Sequence, residues 1–124
     1  MIKGNVFEQS IGIPKLSFSK IGLKIGTYQR VNNSQLILKL VKKNTGSVVF
    51  ESRYDASKIP DNSWVYFDNE KTIDIKENTE YVIQLSSNAK SARNAVTWWF
   101  SEKNKFDSHV NGELKKGGFT FVLE

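Results

Sequence analysis

Cysteine is absent from the chain, so no disulfide staples the fold and no thiol serves as nucleophile or metal ligand. Histidine occurs once, at His109. The two scarcities together exclude ordinary zinc ligation. Apolar runs reach only a few residues, too short to cross a membrane. The opening Met1-Ile2-Lys3-Gly4-Asn5 lacks the apolar core of a signal peptide. No window of a dozen residues carries a 3.6-residue apolar stripe, and no internal repeat or low-complexity linker interrupts the pattern.

Basic residues outnumber acidic ones, 18 against 13 for a net charge of +5, and a basic domain first suggests nucleic acid. The lysines are scattered singly or in pairs, as at Lys42-Lys43 and Lys115-Lys116, among interspersed acids. Without a basic block or an aromatic-basic motif, they read as solubility and edge-strand devices, and no nucleic-acid partner is expected.

What is present is the composition of a folded domain: 39% hydrophobic, 25% charged and 12% aromatic across 124 residues. That length suits one core and not two, so residues 1–124 are read as a single domain. Met1 opens directly onto strand-like sequence, and Leu123-Glu124 reads as a cloning remnant. The expectation is therefore a segment excised from a larger protein, whose compartment the sequence leaves open.

Period-2 alternation dominates. Leu36, Leu38 and Leu40 point one way, and Gln35, Ile37, Lys39 and Val41 the other. Asn44-Thr45-Gly46 then supplies a tight turn. The returning strand, 47–54, opposes Val48 and Phe50 to Val49, Glu51 and Arg53. Residues 55–60 read as one helical turn or a loop, and Asp61-Asn62 as a turn. Residues 64–67 begin a strand that continues towards Ile73 and Ile75 and is broken at 77–80. Tyr81, Ile83 and Leu85 alternate on the next. Residues 86–94 read as a loop, 95–101 as an aromatic strand, 107–112 as a loop and 119–123 as the closing strand. At the start, 6–11 is strand-like, and Leu23, Ile25 and Thr27 alternate with Lys24, Gly26 and Tyr28. About eight or nine short strands at turn spacings of roughly 8–12 residues predict an all-β fold, an antiparallel β-sandwich of jelly-roll type.

Three stretches resemble the galactose-binding-like jelly rolls used by many carbohydrate-binding modules. They are Gln35-Leu36-Ile37-Leu38-Lys39-Leu40 with Thr45-Gly46 and Val48-Val49-Phe50; Asn62-Ser63-Trp64-Val65-Tyr66-Phe67 with 77–85; and Gly117-Gly118-Phe119-Thr120-Phe121-Val122. A narrower likeness, carried by 22–30, 61–65 and 94–99, is to β-sandwich segments appended to bacterial glycosyltransferases and envelope-polysaccharide proteins. The resemblance implies a non-catalytic carbohydrate-binding accessory domain. Its partners would be a polysaccharide or glycan ligand and a catalytic domain on the same parent chain.

Catalysis is hard to assemble from these residues. Asp107 and Ser108 adjoin His109 in sequence, where a loop rarely aligns a triad, and no glycine-flanked serine elbow accompanies them. The acids Asp55, Asp61, Asp68, Glu70, Asp74, Glu77 and Glu80 cluster near turns, as solvated turn acids do. No catalytic residue, no metal ligand and no cofactor is assigned. Asp68-Asn69-Glu70 with Asp61-Asn62 offers oxygens for a structural calcium, though no spaced loop motif demands one.

Binding is better supported. Sugars present apolar C–H faces ringed by hydroxyls, so an exposed ring stacks on the face while planar polar groups hydrogen-bond the rim. Trp98 and Trp99 are consecutive and on a strand must face opposite sides. Val96, Trp98 and Phe100 form the apolar side and are expected in the core. Trp99, between Thr97 and Ser101, is the candidate exposed ring. Tyr28 faces outward by the same alternation, with Arg30 two residues on as a planar hydrogen-bonding fork. Trp64 alternates with Tyr66 against Val65 and Phe67, so its strand reads as central and Trp64 as core. The loops before and after the Trp98–Trp99 strand add Arg93, Asn94, His109 and Asn111. The candidate ligand-binding set is thus Trp99, Tyr28, Arg30, Asn94, Arg93, His109 and Asn111. The alternative is a structural or protein-interaction sandwich whose aromatic face docks on a partner domain of the parent.

Overall fold

The computed structural model of the chain describes residues 1–11, 16–75, 79–101, 107–115 and 117–124. In chain order the strands are β1 (Val6–Ile11), β2 (Leu16–Gly26), β3 (Gln35–Lys42), β4 (Val48–Asp55), β5 (Ser63–Ile75) and β6 (Tyr81–Ser87). Then come β7 (Thr97–Trp98), β8 (Phe100–Ser101), β9 (Ser108–Val110), β10 (Glu113–Lys115), β11 (Gly118–Phe119) and β12 (Phe121–Leu123). Two 3-10 turns, Ala56–Lys58 and Ala92–Asn94, complete the regular structure of the described residues.

One sheet has six strands in the order β10-β9-β1-β6-β3-β4. The other centres on β2, with β5 on one edge and, on the other, β7 opposite Ile25 and Gly26 and β12 opposite residues 21–23. A short β8–β11 pair adjoins them. Every pairing is antiparallel. The result is an all-β sandwich of many strands, compatible with a jelly roll. The strand number exceeds the expected eight or nine for local reasons. The aromatic segment is interrupted at Trp99, the closing segment at Thr120, and residues 108–115 make a hairpin where a loop was expected.

Alternation sorts the side chains much as the sequence pattern requires. Leu36, Leu38 and Leu40 of β3, Ile83 and Leu85 of β6, and Ile21, Leu23 and Ile25 of β2 are all fully buried. They meet Val65 and Phe67 of β5 in one continuous core. Phe119 knits its end, stacking on Trp98 at 4.4 Å and meeting Phe7 and Phe100 edge-on at 5.8 and 5.1 Å. Burying such rings removes large apolar areas from water, and the offset geometries add to that.

Three expectations are corrected. Trp64 is not core: it is 42% exposed, because it lies with Lys24 on the outer face of the sheet while Val65 and Phe67 face the other sheet. Phe100 is 38% exposed although Val96 and Trp98 are buried. The ladder breaks at Trp99, so alternation does not carry across it. Val48 does not share the inward side of Phe50, because a bulge beside Leu40 and Val41 leaves Val48 exposed. The expected strand break at Glu77-Asn78 lies outside the described residues.

Candidate functional site

The outer face of the β2 sheet can be laid out from its register. Lys24 pairs with Trp64 on one side, and on the other the Trp99 N–H donates to the Lys24 carbonyl at 2.9 Å. The first row across the face is therefore Trp99, Lys24, Trp64. The next row is Val122, Gly22, Tyr66. Trp98, one residue before Trp99, is 3% exposed; Trp99, Trp64 and Tyr66 are 40%, 42% and 37% exposed. Trp98 ends β7 buried, and Trp99, where the ladder breaks, lies on the exposed side, which is the split that alternation predicts.

Glycine makes this face flat. A Cβ at Gly22 would lie 2.7 Å from both Tyr66 Cε1 and Val122 Cγ2, so the Tyr66 ring rests against the bare backbone there. A Cβ at Gly26 would meet Thr97 Cγ2 at 3.0 Å, and Asn62 Oδ1 and Trp99 Nε1 at 3.3 and 3.4 Å. The Trp99 indole N–H donates to Asn62 Oδ1 at 3.1 Å, and Lys24 Nζ sits 4.5 Å from the indole centroid. Trp99 is thus oriented by a hydrogen bond and carries a cation over one face. Trp64 and Tyr66 make no side-chain hydrogen bond or ring–ring contact with a described residue. The two tryptophan positions lie two strand spacings apart, about 10 Å.

Tyr28 reaches the surface by a different route from the one expected. β2 ends at Gly26, and Tyr28 and Gln29 form a turn in which both have positive φ, 60° and 56°. Neither residue type favours that region, which costs of order 1–3 kcal/mol per residue. Its surroundings hold it. Asp61 Oδ1 accepts from the Thr27 N–H at 2.6 Å, the Thr27 hydroxyl at 3.1 Å and the Asn62 N–H at 3.1 Å. These bonds, chiefly the one from the Thr27 backbone, keep the Asp61 carboxyl below its ordinary pKa. Buried Asn32 closes the other side, donating to the Thr27 and Arg30 carbonyls at 3.1 and 3.4 Å.

Arg30 is committed to the fold. Its Nε donates to Asn32 Oδ1 at 2.8 Å, and its Nη2 donates to the carbonyls of Ala95, at 3.0 Å, and Ala92. The guanidinium also lies 5.0 Å from the Tyr28 ring centroid, which leaves Tyr28 59% exposed above it. Tyr28, Arg30, Ile2 and Ala95 border a depression of about 280 Å³. The Met1 ammonium, beside Arg30, donates to the Val96 carbonyl at 3.1 Å. Burial first, then the Arg30 charge, lower its pKa.

The loop residues fall into two groups. Asn94 closes the Ala92–Asn94 turn, and its Oδ1 accepts from the Asn33 N–H at 2.9 Å; Arg93 beside it is exposed. Asn94 borders a polar depression of about 540 Å³ with Gln35, Asp55, Ser57, Asn88 and Lys90. His109 belongs elsewhere. It lies half-buried on β9, opposite Glu8 and Leu114. Asn111, at φ 52°, turns that hairpin, accepting from the Val6 N–H at 2.8 Å and donating to Asn5 Oδ1 at 3.2 Å. Of the seven candidates, then, Tyr28 and Arg30 stand together and Trp99 occupies the sheet face. Arg93 and Asn94 belong to the polar loop end, and His109 and Asn111 to the far side of the six-stranded sheet. Among the described residues no three His, Cys, Asp or Glu side chains cluster as metal ligands.

Trp64 and Tyr66 were missed as face residues, and Lys24, read as outward-facing, was not joined to them. The signal for them was the spacing Gly22-x-Lys24-x-Gly26, which removes side chains from alternate outward positions of β2. Together, fold and surface define an antiparallel β-sandwich with one open aromatic sheet face. Compared with known proteins, the chain matches no family model and no curated protein. No helix among the described residues is long and apolar enough to cross a membrane.

Proposed function

We propose that the chain is a non-catalytic carbohydrate-binding module that takes a glycan across the Trp99–Lys24–Trp64 row, with Tyr66 extending the platform. The observation that carries this reading is the arrangement of three partly exposed rings on one face around glycine backbone. Trp64 offers a flat surface for the apolar face of a sugar ring, and Tyr66, resting on Gly22, offers its exposed part. Lys24, already aligned between the tryptophans, supplies hydrogen bonds to hydroxyl oxygens. Tyr28, exposed in the turn just past β2, is a further stacking ring. Arg30 serves it as a support from below rather than as a reader of hydroxyls.

A protein-docking face is the competing reading. Against it stands the polar interleaving: Lys24 lies between the rings, and the next row beyond Tyr66 is Lys20 with Asp68. Docking patches are more continuously apolar at their centre. The galactose-binding-like resemblance and the accessory role beside a polysaccharide enzyme belong to the same proposal. Affinity in the micromolar to millimolar range is expected, roughly 4–8 kcal/mol.

The test is a glycan array probed with the wild-type chain and with Trp64→Ala and Tyr66→Ala, both at partly exposed positions, once circular dichroism and melting show that each variant is folded. Selective binding weakened about tenfold by either change supports the reading, since a stacked ring contributes on the order of 1 kcal/mol. Binding that survives both changes moves the glycan off this face. Silence across the array sinks the carbohydrate reading.

A further inference from the structure

The polar depression at the loop end is built differently from the sheet face. It lies where β3 begins and β4 and β6 end, and its shape is held by reciprocal bonds. The Gln35 N–H donates to Asn88 Oδ1 at 2.7 Å, while the Asn88 N–H donates to the Gln35 carbonyl at 3.2 Å. The Asn33 N–H donates to Asn94 Oδ1 at 2.9 Å, and the Ser34 hydroxyl to the Asn94 carbonyl at 2.9 Å. The Ala56 N–H ties in the third strand through the Ser34 carbonyl at 2.8 Å.

These bonds fix which way each amide points. A backbone N–H needs an acceptor, so the oxygen of each asparagine faces the backbone and its NH2 group faces away. Neither Nδ2 donates to a described residue, and Lys90, on the same lining, is exposed and likewise unbonded. Asp55 contributes the opposite chemistry. Its Oδ1 takes both the Ser57 N–H, at 2.9 Å, and the Ser57 hydroxyl, at 2.7 Å, while Oδ2 has no donor among the described residues. The Ser57 bonds lower the Asp55 pKa, so the carboxylate stays ionised and acts only as an acceptor.

The lining therefore offers preset donors and one preset acceptor, with charges of Lys90 and Asp55 that cancel. An anion would meet the Asp55 carboxylate. A hydroxyl both donates and accepts, so neighbouring hydroxyls on a ring satisfy both kinds of group at once. No aromatic residue lines the depression among the described residues, so recognition is by hydrogen bonds and not stacking. The volume, about 540 Å³, falls in the range of small-molecule sites.

We propose that this depression is a second, separate binding site for a neutral polyhydroxylated ring, one sugar unit in size, with Asn88, Asn94 and Lys90 donating to its hydroxyl oxygens and Asp55 accepting from a hydroxyl. It shares no residue with the sheet face and stands whether or not that face binds glycan.

The experiment is a 1H–15N titration of the whole chain with methyl glycosides of galactose, glucose and mannose, followed at the Gln35, Asn88 and Asn94 amides. Glucuronate and inorganic phosphate serve as anionic probes. The decisive variants are Asn88→Asp and Asn94→Asp, which keep the oxygen that accepts from Gln35 or Asn33 and turn the free NH2 donor into a charged acceptor. Unchanged amide shifts away from the substituted residue and its hydrogen-bonded partner (Asn33 or Gln35), in the unliganded variants, verify that the framework is intact. Saturable shifts with at least one neutral glycoside, weakened about tenfold or more by either variant, are the expected result, tenfold being 1.4 kcal/mol. Lys90→Ala should weaken the same titration, while Trp64→Ala should leave it unchanged. The proposal is overturned by the absence of shifts with every neutral glycoside up to ~50 mM, well past millimolar affinity. Saturation by glucuronate or phosphate in their place overturns the ligand class, and neutral-glycoside shifts indifferent to both variants overturn the site.

Discussion

Tyr66 and Gly22 show how one missing side chain shapes this surface. The ring occupies the space a Cβ at Gly22 would need, with only 2.7 Å to Tyr66 Cε1 and to Val122 Cγ2. Gly22→Ala should thus force both side chains off the sheet, costing about 1–3 kcal/mol as overpacking does. Urea denaturation measures the loss, and the Tyr66 ring resonances should move; unchanged stability with a displaced ring would show that Tyr66 swings away freely. Asp61 makes a second prediction. Its pKa is depressed in the folded chain by the N–H groups of the Thr27 turn, whereas an unfolded aspartate titrates near ~3.9. A depressed carboxylate contributes stability that is fully present above the unfolded pKa. That stability is lost as pH falls from there through the lower folded value. Asp61→Asn should accordingly melt lower than wild type at neutral pH, and the gap should narrow below about pH 4. Melting curves across that range check it; a gap of constant size at every pH would mean that charge plays no part in holding the Tyr28–Gln29 turn.

Between elements, Gln9 is a buried polar tie. Its side chain is fully buried on β1, accepts from the Phe119 N–H at 2.6 Å, and donates to the Ser10 and Asp107 carbonyls at 3.0 and 3.3 Å. β1 is thereby latched to the short β11. Gln9→Leu keeps the volume but removes the buried side chain that bonds the Phe119 N–H and the Ser10 and Asp107 carbonyls, so a loss of about 2–4 kcal/mol is expected. Chemical denaturation gives the number, and a loss under about 1 kcal/mol would mean that water replaces the side chain. Such ties mark the limit of what the pattern of residues conveys. The inward leucines of β3, the Leu23–Ile25–Thr27 alternation and the Trp98/Trp99 split were legible, because period 2 within a strand is a local property. The exposure of Trp64 was not, since the Trp64–Tyr66 and Val65–Phe67 sides are equally apolar and the pattern does not say which of them faces the core. Nor was the loss of Phe100 from the core, which follows from a ladder break at Trp99 that no residue announces. The roles of Arg30 and Asn94 were hidden for a similar reason. Both look like free surface polar groups until chain segments about 60 residues away are seen to use them.

For the molecule as a whole, the organising fact is that its pairings are distant in sequence. Phe7 pairs with both Leu85 and Val110, and Ile21 with Leu123. Closing such loops is entropically costly before any contact repays it, so a sandwich of this kind folds in milliseconds to seconds. Phe119 sits where those long closures meet. It is buried among Phe7 of the six-stranded sheet, Trp98 of the β2 sheet, and Phe100. Phe119→Ala leaves a cavity at that junction and should cost about 3–5 kcal/mol. The junction joins three separate segments, around Phe7, around Trp98 and Phe100, and Phe119 itself, whereas the β3–β4 hairpin needs only a short turn to form. The Phe119 contacts should therefore be among the last made. A group absent from the transition state speeds unfolding and leaves folding nearly unchanged when removed. Stopped-flow refolding and unfolding in urea separate the two limbs. Most of the lost stability is expected in the unfolding rate. If the folding rate falls instead, the aromatic junction, and not the local hairpin, nucleates the sandwich.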